Sequence, residues 1–184
     1  GNIDDITISA GATTGTVSFT PTDDSIYDAT SNETATIAIN GVSGKTGVAE
    51  HGTPQTVTIT ITDNESAPTV TLAAASSSID EDSDSTITLT ATLSVATFQD
   101  VTVSIDGTGG TGTEGTDFGT VSDITISAGS TTGTVAFDPT DDSIFEGNET
   151  AGISVSGVSG GGASESGTQA VTITITDNES APTV

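Results

Sequence analysis

Residues 170–176 read Ala-Val-Thr-Ile-Thr-Ile-Thr, and this stretch decides the fold class. Val171, Ile173 and Ile175 alternate with threonines, so every apolar side chain falls on one face of an extended chain. Residues 56–62 read Thr-Val-Thr-Ile-Thr-Ile-Thr and repeat the pattern. Alternation with period two, carried by β-branched residues, is typical of a strand with one face buried and one in water.

The same alternation recurs along the chain, separated by clusters of Gly, Asp, Asn and Ser that favour turns. Regularly spaced short strands without helical periodicity predict an all-β protein, specifically a seven-stranded Greek-key, Ig-like β-sandwich in tandem repeats. Seven strands are predicted in the second part of the chain, near residues 70–74, 86–93, 101–105, 124–127, 134–137, 150–155 and 170–175. Four are predicted in the first part, near residues 6–8, 16–19, 34–39 and 56–61.

The chain repeats itself. Thr172–Val184 is identical, letter for letter, to Thr58–Val70, and Asp123–Gly129 is identical to Asp5–Gly11. These offsets define a repeat of sandwich-domain size. The predicted organisation is the C-terminal half of a repeat with four strands (residues 1–66), a complete repeat (67–180) and the start of a next repeat (181–184). We expect this to be a window from a longer tandem array.

A half repeat would expose an apolar face and unpaired strand edges. Two interpretations follow. A neighbouring molecule supplies the missing strands by strand complementation, which would make the protein a filament subunit. Alternatively, the natural chain continues upstream and supplies them itself.

Charge and composition exclude several functions. The 184 residues carry 26 Asp and Glu against one Lys or Arg, which gives a formal net charge of −25 at pH 7. A chain this acidic does not suit binding to nucleic acid or to an anionic membrane. Cys and Trp are absent and only one Tyr is present, so we predict neither a thiol site nor a sugar-binding aromatic platform, and no enzymatic activity. No apolar run is long enough to predict membrane insertion.

The acidic residues cluster between the predicted strands and near their ends. Alternate strand ends of a Greek-key sandwich lie at the same pole, so these carboxylates are expected to converge. Two carboxylates about 4 Å apart repel by roughly 4 kcal/mol at an effective dielectric near 20. Ca²⁺, which takes six to eight oxygen ligands from flexible loops, would offset that repulsion better than Mg²⁺, and Zn²⁺ and Cu²⁺ lack their usual ligands here. The alternative is an acidic, solubilising or salt-adapted surface.

Four motifs occur in the order typical of one family: Ile79-Asp80-Glu81, Gly115-Thr116-Asp117-Phe118, the stretch 141–150 (Asp-Asp-Ser-Ile-Phe-Glu-Gly-Asn-Glu-Thr) and the stretch 171–179 ending in Asp177-Asn178-Glu179. The complete repeat therefore resembles a Calx-beta domain, the calcium-binding sandwich of sodium/calcium exchangers and of many large bacterial surface proteins. Asn178 interrupts the acidic run that often ends the last strand in the family.

The resemblance implies metal ligands at one pole of each repeat. In the complete repeat they would be Glu81, Asp117, Asp141, Asp142, Glu146, Glu149, Asp177 and Glu179. In the first copy they would be Asp23, Asp24, Asp28, Glu33, Asp63 and Glu65, where counterparts of Glu81 and Asp117 are missing.

The sequence thus predicts an extracellular structural repeat of a long surface or filament-forming matrix protein, secreted or at the cell surface. Its predicted partners are calcium and neighbouring repeats or like subunits. An adhesin repeat that binds a glycan or protein ligand and a calcium-sensing module are the alternatives. Phe19, Phe118, Phe137 and Phe145 are predicted to pack in the core or at the pole.

Overall fold

A computed structural model describes residues 3–28, 33–52 and 55–184 and contains strands but no helix among them. The strands are β1 (Ile26–Tyr27), β2 (Glu33–Ala38), β3 (Thr56–Ile61), β4 (Thr69–Ala74), β5 (Ser78–Asp80), β6 (Ile87–Leu93), β7 (Ala96–Thr97), β8 (Val101–Gly110), β9 (Ile124–Ile126), β10 (Thr132–Phe137), β11 (Glu149–Ser159), β12 (Ser164–Glu165) and β13 (Ala170–Thr176). Within the described residues, no helix is long and apolar enough to cross a membrane.

The chain divides into two compact units. The first contains Gly1–Ser25 and Ser31–Asp63, and the second contains Ile26–Thr30 and Asn64–Val184. In the second unit, a four-stranded sheet has the order β10-β6-β4-β12 and a five-stranded sheet has the order β5-β13-β11-β8-β9. The grouping of β4, β6 and β10 against β9, β8, β11 and β13 is that of an Ig-like Greek key, so the predicted fold class is confirmed.

All seven strands predicted for the complete repeat are present, because alternation buries one residue in two. Along β6 the buried side chains are Ile87, Leu89, Ala91 and Leu93, with Thr side chains between them. These residues share one core cluster with buried residues of β8, β11 and β13. The core therefore lies between the two sheets. Phe118 and Phe137 are fully buried in it, with ring centroids 5.2 Å apart.

The first unit has fewer strands than predicted. β2 and β3 form an antiparallel pair in the register Ala35↔Ile59, but residues 6–8 and 16–19 form no strand. Their counterparts in the complete repeat, β9 and β10, pair with β8 and β6. No described residue of the first unit offers equivalents of β6 and β8, so the ladders that would define these two strands are missing.

The first unit also leaves apolar side chains in water. Ile6 and Ile8 are 54% and 57% exposed, whereas their equivalents Ile124 and Ile126 are fully buried. Four short strands were not predicted, namely β1, β5, β7 and β12. Three of these matter below: β5 runs parallel to β13, and β1 runs parallel to β7.

Candidate metal centre

β5 and β13 bring the first and last acidic motifs of the complete repeat together. The two strands are parallel, with Ile79 opposite Ile175 and Asp80 opposite Thr176. The Glu81 N–H then donates to the Thr176 carbonyl at 3.0 Å. Both strands therefore end side by side at the same pole. Glu81 follows β5, and Asp177 to Glu179 follow β13.

β8 and β11 deliver the other two motifs to this pole. Beyond Gly110, the N–H groups of Thr111 and Gly112 both donate to the Thr150 carbonyl at 2.9 Å. A tight turn follows, in which the Thr113 N–H donates to Asp117 Oδ2 at 2.6 Å. This turn holds Asp117 beside Glu149, the first residue of β11, which lies opposite Ile175 of β13.

Two groups of three carboxylates result. One consists of Glu81, Asp141 and Glu179, and the other of Asp117, Glu146 and Glu149; within each group, one oxygen from every residue lies within 4.8 Å of the others. We call them the Glu179 group and the Glu149 group. The Glu179 group combines residues from three of the four sequence motifs and the Glu149 group from two, so residues far apart in the chain meet in space.

Asp177 accepts backbone N–H groups from the segments that carry both groups. Its Oδ2 accepts the N–H groups of Glu146 (2.7 Å) and Gly147, and its Oδ1 accepts the Glu179 N–H at 2.7 Å. Desolvation raises the pKa of Asp177, but these backbone donors outweigh it and leave the pKa below its ordinary value. Asp177 therefore orders the loop that carries members of both groups.

The remaining members of the acidic pole are held by single hydrogen bonds. Asp142 Oδ1 accepts the Ile144 N–H at 2.7 Å, and the Asn178 amide donates to Asp141 Oδ1 at 3.2 Å. Asn178 thus orients Asp141, a role that its place in an acidic run did not suggest. Glu114, three residues before Asp117, instead accepts the Val121 N–H at 2.8 Å.

The pole is electrostatically strained. A hydrogen bond shared with Glu81, together with desolvation and the nearby Asp177, raises the pKa of Glu179 to about 7. Desolvation and the charges of Asp142, Asp117 and Asp177 raise the pKa of Glu146. Desolvation and the charges of Asp117 and Glu146 likewise raise the pKa of Glu149. A cation bound beside these carboxylates would offset the causes that raise their pKa values.

A cation fits this pole. Glu81 Oε1 and Glu179 Oε2 are buried and accept no hydrogen bond, which leaves two desolvated oxygens in the Glu179 group. Buried polar atoms normally have partners. The donor set is entirely oxygen and comes from loops and from the first residue of β11, which suits Ca²⁺. Glu81, Asp141 and Glu179 would hold one ion, and Asp117, Glu146 and Glu149 another.

The structure places all eight ligands predicted for the complete repeat at this pole, six of them in the two groups. It places the six predicted for the first copy differently. Asp23, Asp24 and Glu33 are exposed, and Asp28, Asp63 and Glu65 are half-buried. Among the described residues, none of these six belongs to a group of three carboxylates. The metal-ligating role of all fourteen residues stays a prediction.

Fold and site together define an all-β repeat module whose polar end is built from carboxylates. The family model of the Calx-beta domain matches residues 4–65 and 63–179, and the chain belongs to this family. Calx-beta domains bind Ca²⁺, and the two carboxylate groups could hold such ions, so the predicted cofactor is confirmed. They are binding modules rather than catalysts.

A solved structure shows the same fold. The chain is similar to the crystal structure of the apo-form Calx CBD1 domain, with 18% identity and a TM-score of 0.50, over 60% of this chain and 99% of that domain. It is also similar to CBD12 from CALX1.2, with 20% identity and a TM-score of 0.48, over 55% of this chain and 41% of that structure, less than half of its length. No curated protein matches the sequence.

Proposed function

We propose that this chain is a calcium-stiffened structural repeat of a long extracellular protein, at a surface or in a filamentous matrix. The observation that carries the proposal is the composition of the Glu179 group. Glu81 follows β5 in the first third of the complete repeat, and Glu179 follows β13, its last strand. An ion held by both would fix the direction in which the chain leaves the repeat.

The sequence that follows Glu179 supports a mechanical role. Residues 177–184 are identical to residues 63–70, which lead into the complete repeat. At that entry Pro68 is fully buried, and its carbonyl accepts the Ser164 N–H at 3.1 Å. Only a few residues therefore separate the acidic exit of one copy from the anchored entry of the next. A short connector with a metal at one end bends less than a metal-free one.

Strand complementation extends this proposal to the partners. Ile6 and Ile8 are exposed in the first unit, while the same positions in the complete repeat are covered by the facing sheet. We propose that strands equivalent to β4, β6 and β8, from outside residues 3–63, cover this face. A neighbouring molecule that supplied them would produce a filament.

The extracellular location rests on calcium supply. Extracellular calcium modules commonly bind in the 10⁻⁴ to 10⁻³ M range, which matches calcium outside cells. Isothermal titration calorimetry of the metal-free chain would measure the affinity. A millimolar dissociation constant supports the structural role, whereas a micromolar one supports the alternative of a calcium sensor.

Small-angle X-ray scattering tests the stiffening directly. A further copy of residues 71–184 is joined after Val184, so that a complete repeat follows Glu179, and the substitutions are made in the original copy. With calcium, this lengthened chain is expected to show a larger maximum dimension and a narrower distance distribution than with EDTA. Glu179→Gln should abolish that difference, and Asp84→Asn, which removes the same charge from an exposed residue outside both groups, should preserve it. Identical scattering with and without calcium would overturn the structural role.

A further inference from the structure

A two-residue strand covers one edge of the second unit. β1 pairs in parallel with β7, with Ile26 opposite Ala96 and Tyr27 opposite Thr97. The Phe98 N–H donates to the Tyr27 carbonyl at 3.2 Å. Ile26 and Tyr27 are half-buried there, although both precede the complete repeat in sequence.

β7 is a fixed receiving edge. Thr97 is 1% exposed, and its hydroxyl donates to the Gln99 carbonyl at 2.6 Å. The Gly129 N–H donates to the Thr97 carbonyl at 2.8 Å, which ties β7 to the turn after β9. These contacts hold the backbone of the edge without involving β1, and β-strand addition joins an extended segment to such an edge through main-chain hydrogen bonds.

The complete repeat carries the same docking sequence. Thr140–Ile144 is identical to Thr22–Ile26, and an aromatic residue follows in each copy, Tyr27 in the first and Phe145 in the second. The second copy of the segment is uncovered: Ile144 is 62% exposed and Phe145 is 44% exposed. The sequence predicted that Phe145 packs in the core or at the pole. This prediction is wrong, because the side chain is exposed.

We propose that Ile144–Phe145 is a docking strand for the β7 edge of a following Calx-beta repeat. The pair would add to that edge in parallel, as Ile26–Tyr27 adds to Ala96–Thr97. The inference rests on the proposed function in one respect, that repeats follow one another along a chain. It adds a noncovalent contact to the connector between them, and the short connector keeps the effective concentration of the two surfaces high.

The docking strand is also part of the acidic loop. The Ile144 N–H donates to Asp142 Oδ1, and the Glu146 N–H donates to Asp177 Oδ2, both at 2.7 Å. Ile144 and Phe145 therefore lie between Asp142 and Glu146, two of the predicted calcium ligands. Calcium at the pole would hold the strand in its docking conformation.

Photocrosslinking tests the contact in a lengthened chain. A second copy of residues 71–184 is joined after Val184, which continues the repeat in phase because residues 181–184 are identical to 67–70. p-Benzoylphenylalanine replaces Phe145, and Gln99→Asn in the added copy marks its peptides by mass. In the original copy, β7 already carries Ile26–Tyr27, so the added copy has the open edge. The same probe at Tyr27 is the positive control, and at exposed Val48 the negative one.

The expected product links position 145 to residues 96–98 of the added copy, in a yield comparable to the Tyr27 control. Ile144→Ser should lower that yield by about tenfold because it removes the aliphatic anchor. Ser143→Ala, beside it, should leave the yield unchanged. Products no more frequent than those from Val48 would overturn the proposal, and so would a Tyr27 probe that fails to reach residues 96–98.

The crosslinking experiment and the scattering experiment test the docking strand and the calcium stiffening independently. Crosslinking at residues 96–98 without any effect of calcium on the scattering would retain the docking strand and reject calcium stiffening. Calcium-dependent scattering without the crosslink would retain the stiffening and reject the docking strand.

Discussion

Glu179 belongs to one of the two carboxylate groups and also lies where the chain leaves the last strand of the complete repeat. A hydrogen bond that its protonated carboxyl can donate to Glu81 raises the pKa of Glu179 to about 7. Two carboxylates can share a hydrogen bond only when one holds a proton. Without a cation, the pair is therefore partly protonated near neutral pH, and a calcium ion that binds there must displace this proton.

This proton makes the stability of the metal-free chain depend on pH. The pKa of Glu179 is raised in the folded state, so the folded state binds more protons than the unfolded state between pH 4.5 and about 7. The free energy of unfolding must fall as pH rises through that window, and the raised pKa values of Glu146 and Glu149 act in the same direction. The lowered pKa of Asp177 acts oppositely, but only under more acidic conditions.

Urea unfolding in EDTA should accordingly give a higher midpoint at pH 5 than at pH 8. In millimolar calcium the order should reverse, because calcium binds the deprotonated carboxylates. Equal midpoints at the two pH values in EDTA would show that the Glu179 group does not assemble as described.

Removing one negative charge from the Glu179 group should have opposite effects with and without calcium. In EDTA, Glu179→Gln relieves repulsion with Glu81 and Asp141, so the melting temperature should rise. In a calcium titration the same variant should bind more weakly by about tenfold or more, because calcium affinity depends on the number of charged ligands. Differential scanning calorimetry and titration calorimetry measure the two effects.

Asp84→Asn is the matched control for this variant. Asp84 is exposed and lies outside both carboxylate groups, and the substitution changes the net charge of the chain equally. If Asp84→Asn reproduced the effects of Glu179→Gln, general charge repulsion rather than a defined site would explain them.

The loop after β8 depends on one glycine. Gly110 has a φ of 98°, and a Cβ built there would collide with the backbone carbonyl of Thr150. Gly115 lies in the same loop with a φ of 85°, and a Cβ there meets nothing within 4 Å. The two positions share the strained backbone conformation and differ in the clash.

Gly110→Ala should therefore cost more stability than Gly115→Ala, by about 1–3 kcal/mol, in urea unfolding with EDTA present. It should also weaken calcium binding at the Glu149 group, because the Thr150 carbonyl anchors the turn that holds Asp117. Equal costs for both alanines would mean that the close approach of Gly110 to Thr150 is not maintained in solution.

Alternation predicted the long strands because their burial is a local property of the sequence. It could not predict β5 or β7, which have three and two residues and are strands only through a parallel neighbour. It wrongly predicted strands at residues 6–8 and 16–19, because a strand also needs a partner. The arrangement of the candidate metal centre likewise depends on strand pairing as well as on local sequence. Spacing indicated that carboxylates converge, but the division into two groups depends on the β5–β13 and β8–β11 registers.

Phe145 and Asn178 show the same limit for single side chains. Hydrophobicity predicted that Phe145 is packed, yet the position is exposed in the complete repeat. Asn178 interrupts an acidic run, and only the structure shows that its amide donates to Asp141. Both outcomes depend on which neighbour lies across the pole, and composition carries no information about that.

The net negative charge of the whole chain destabilises the fold in addition to the repulsion within the two carboxylate groups. With a formal charge of −25, any salt should stabilise the fold by screening repulsion between distant carboxylates. Screening at physiological ionic strength acts over about 8 Å and does little for oxygens in direct proximity. Within each group, oxygens lie within 4.8 Å of one another, so sodium ions at ordinary concentrations leave that repulsion largely in place.

Melting curves in NaCl, MgCl₂ and CaCl₂ at matched ionic strength separate the two contributions. All three salts should raise the melting temperature above that in EDTA at low salt, and calcium should raise it furthest. At a calcium concentration about a hundredfold above the dissociation constant, the additional stabilisation is about 2.7 kcal/mol. Magnesium should fall between sodium and calcium, since its strict octahedral geometry and tightly held water suit loop-borne carboxylates less well. If the three curves coincided, the acidic residues would act only as a solubilising surface, and the two carboxylate groups would not be metal sites.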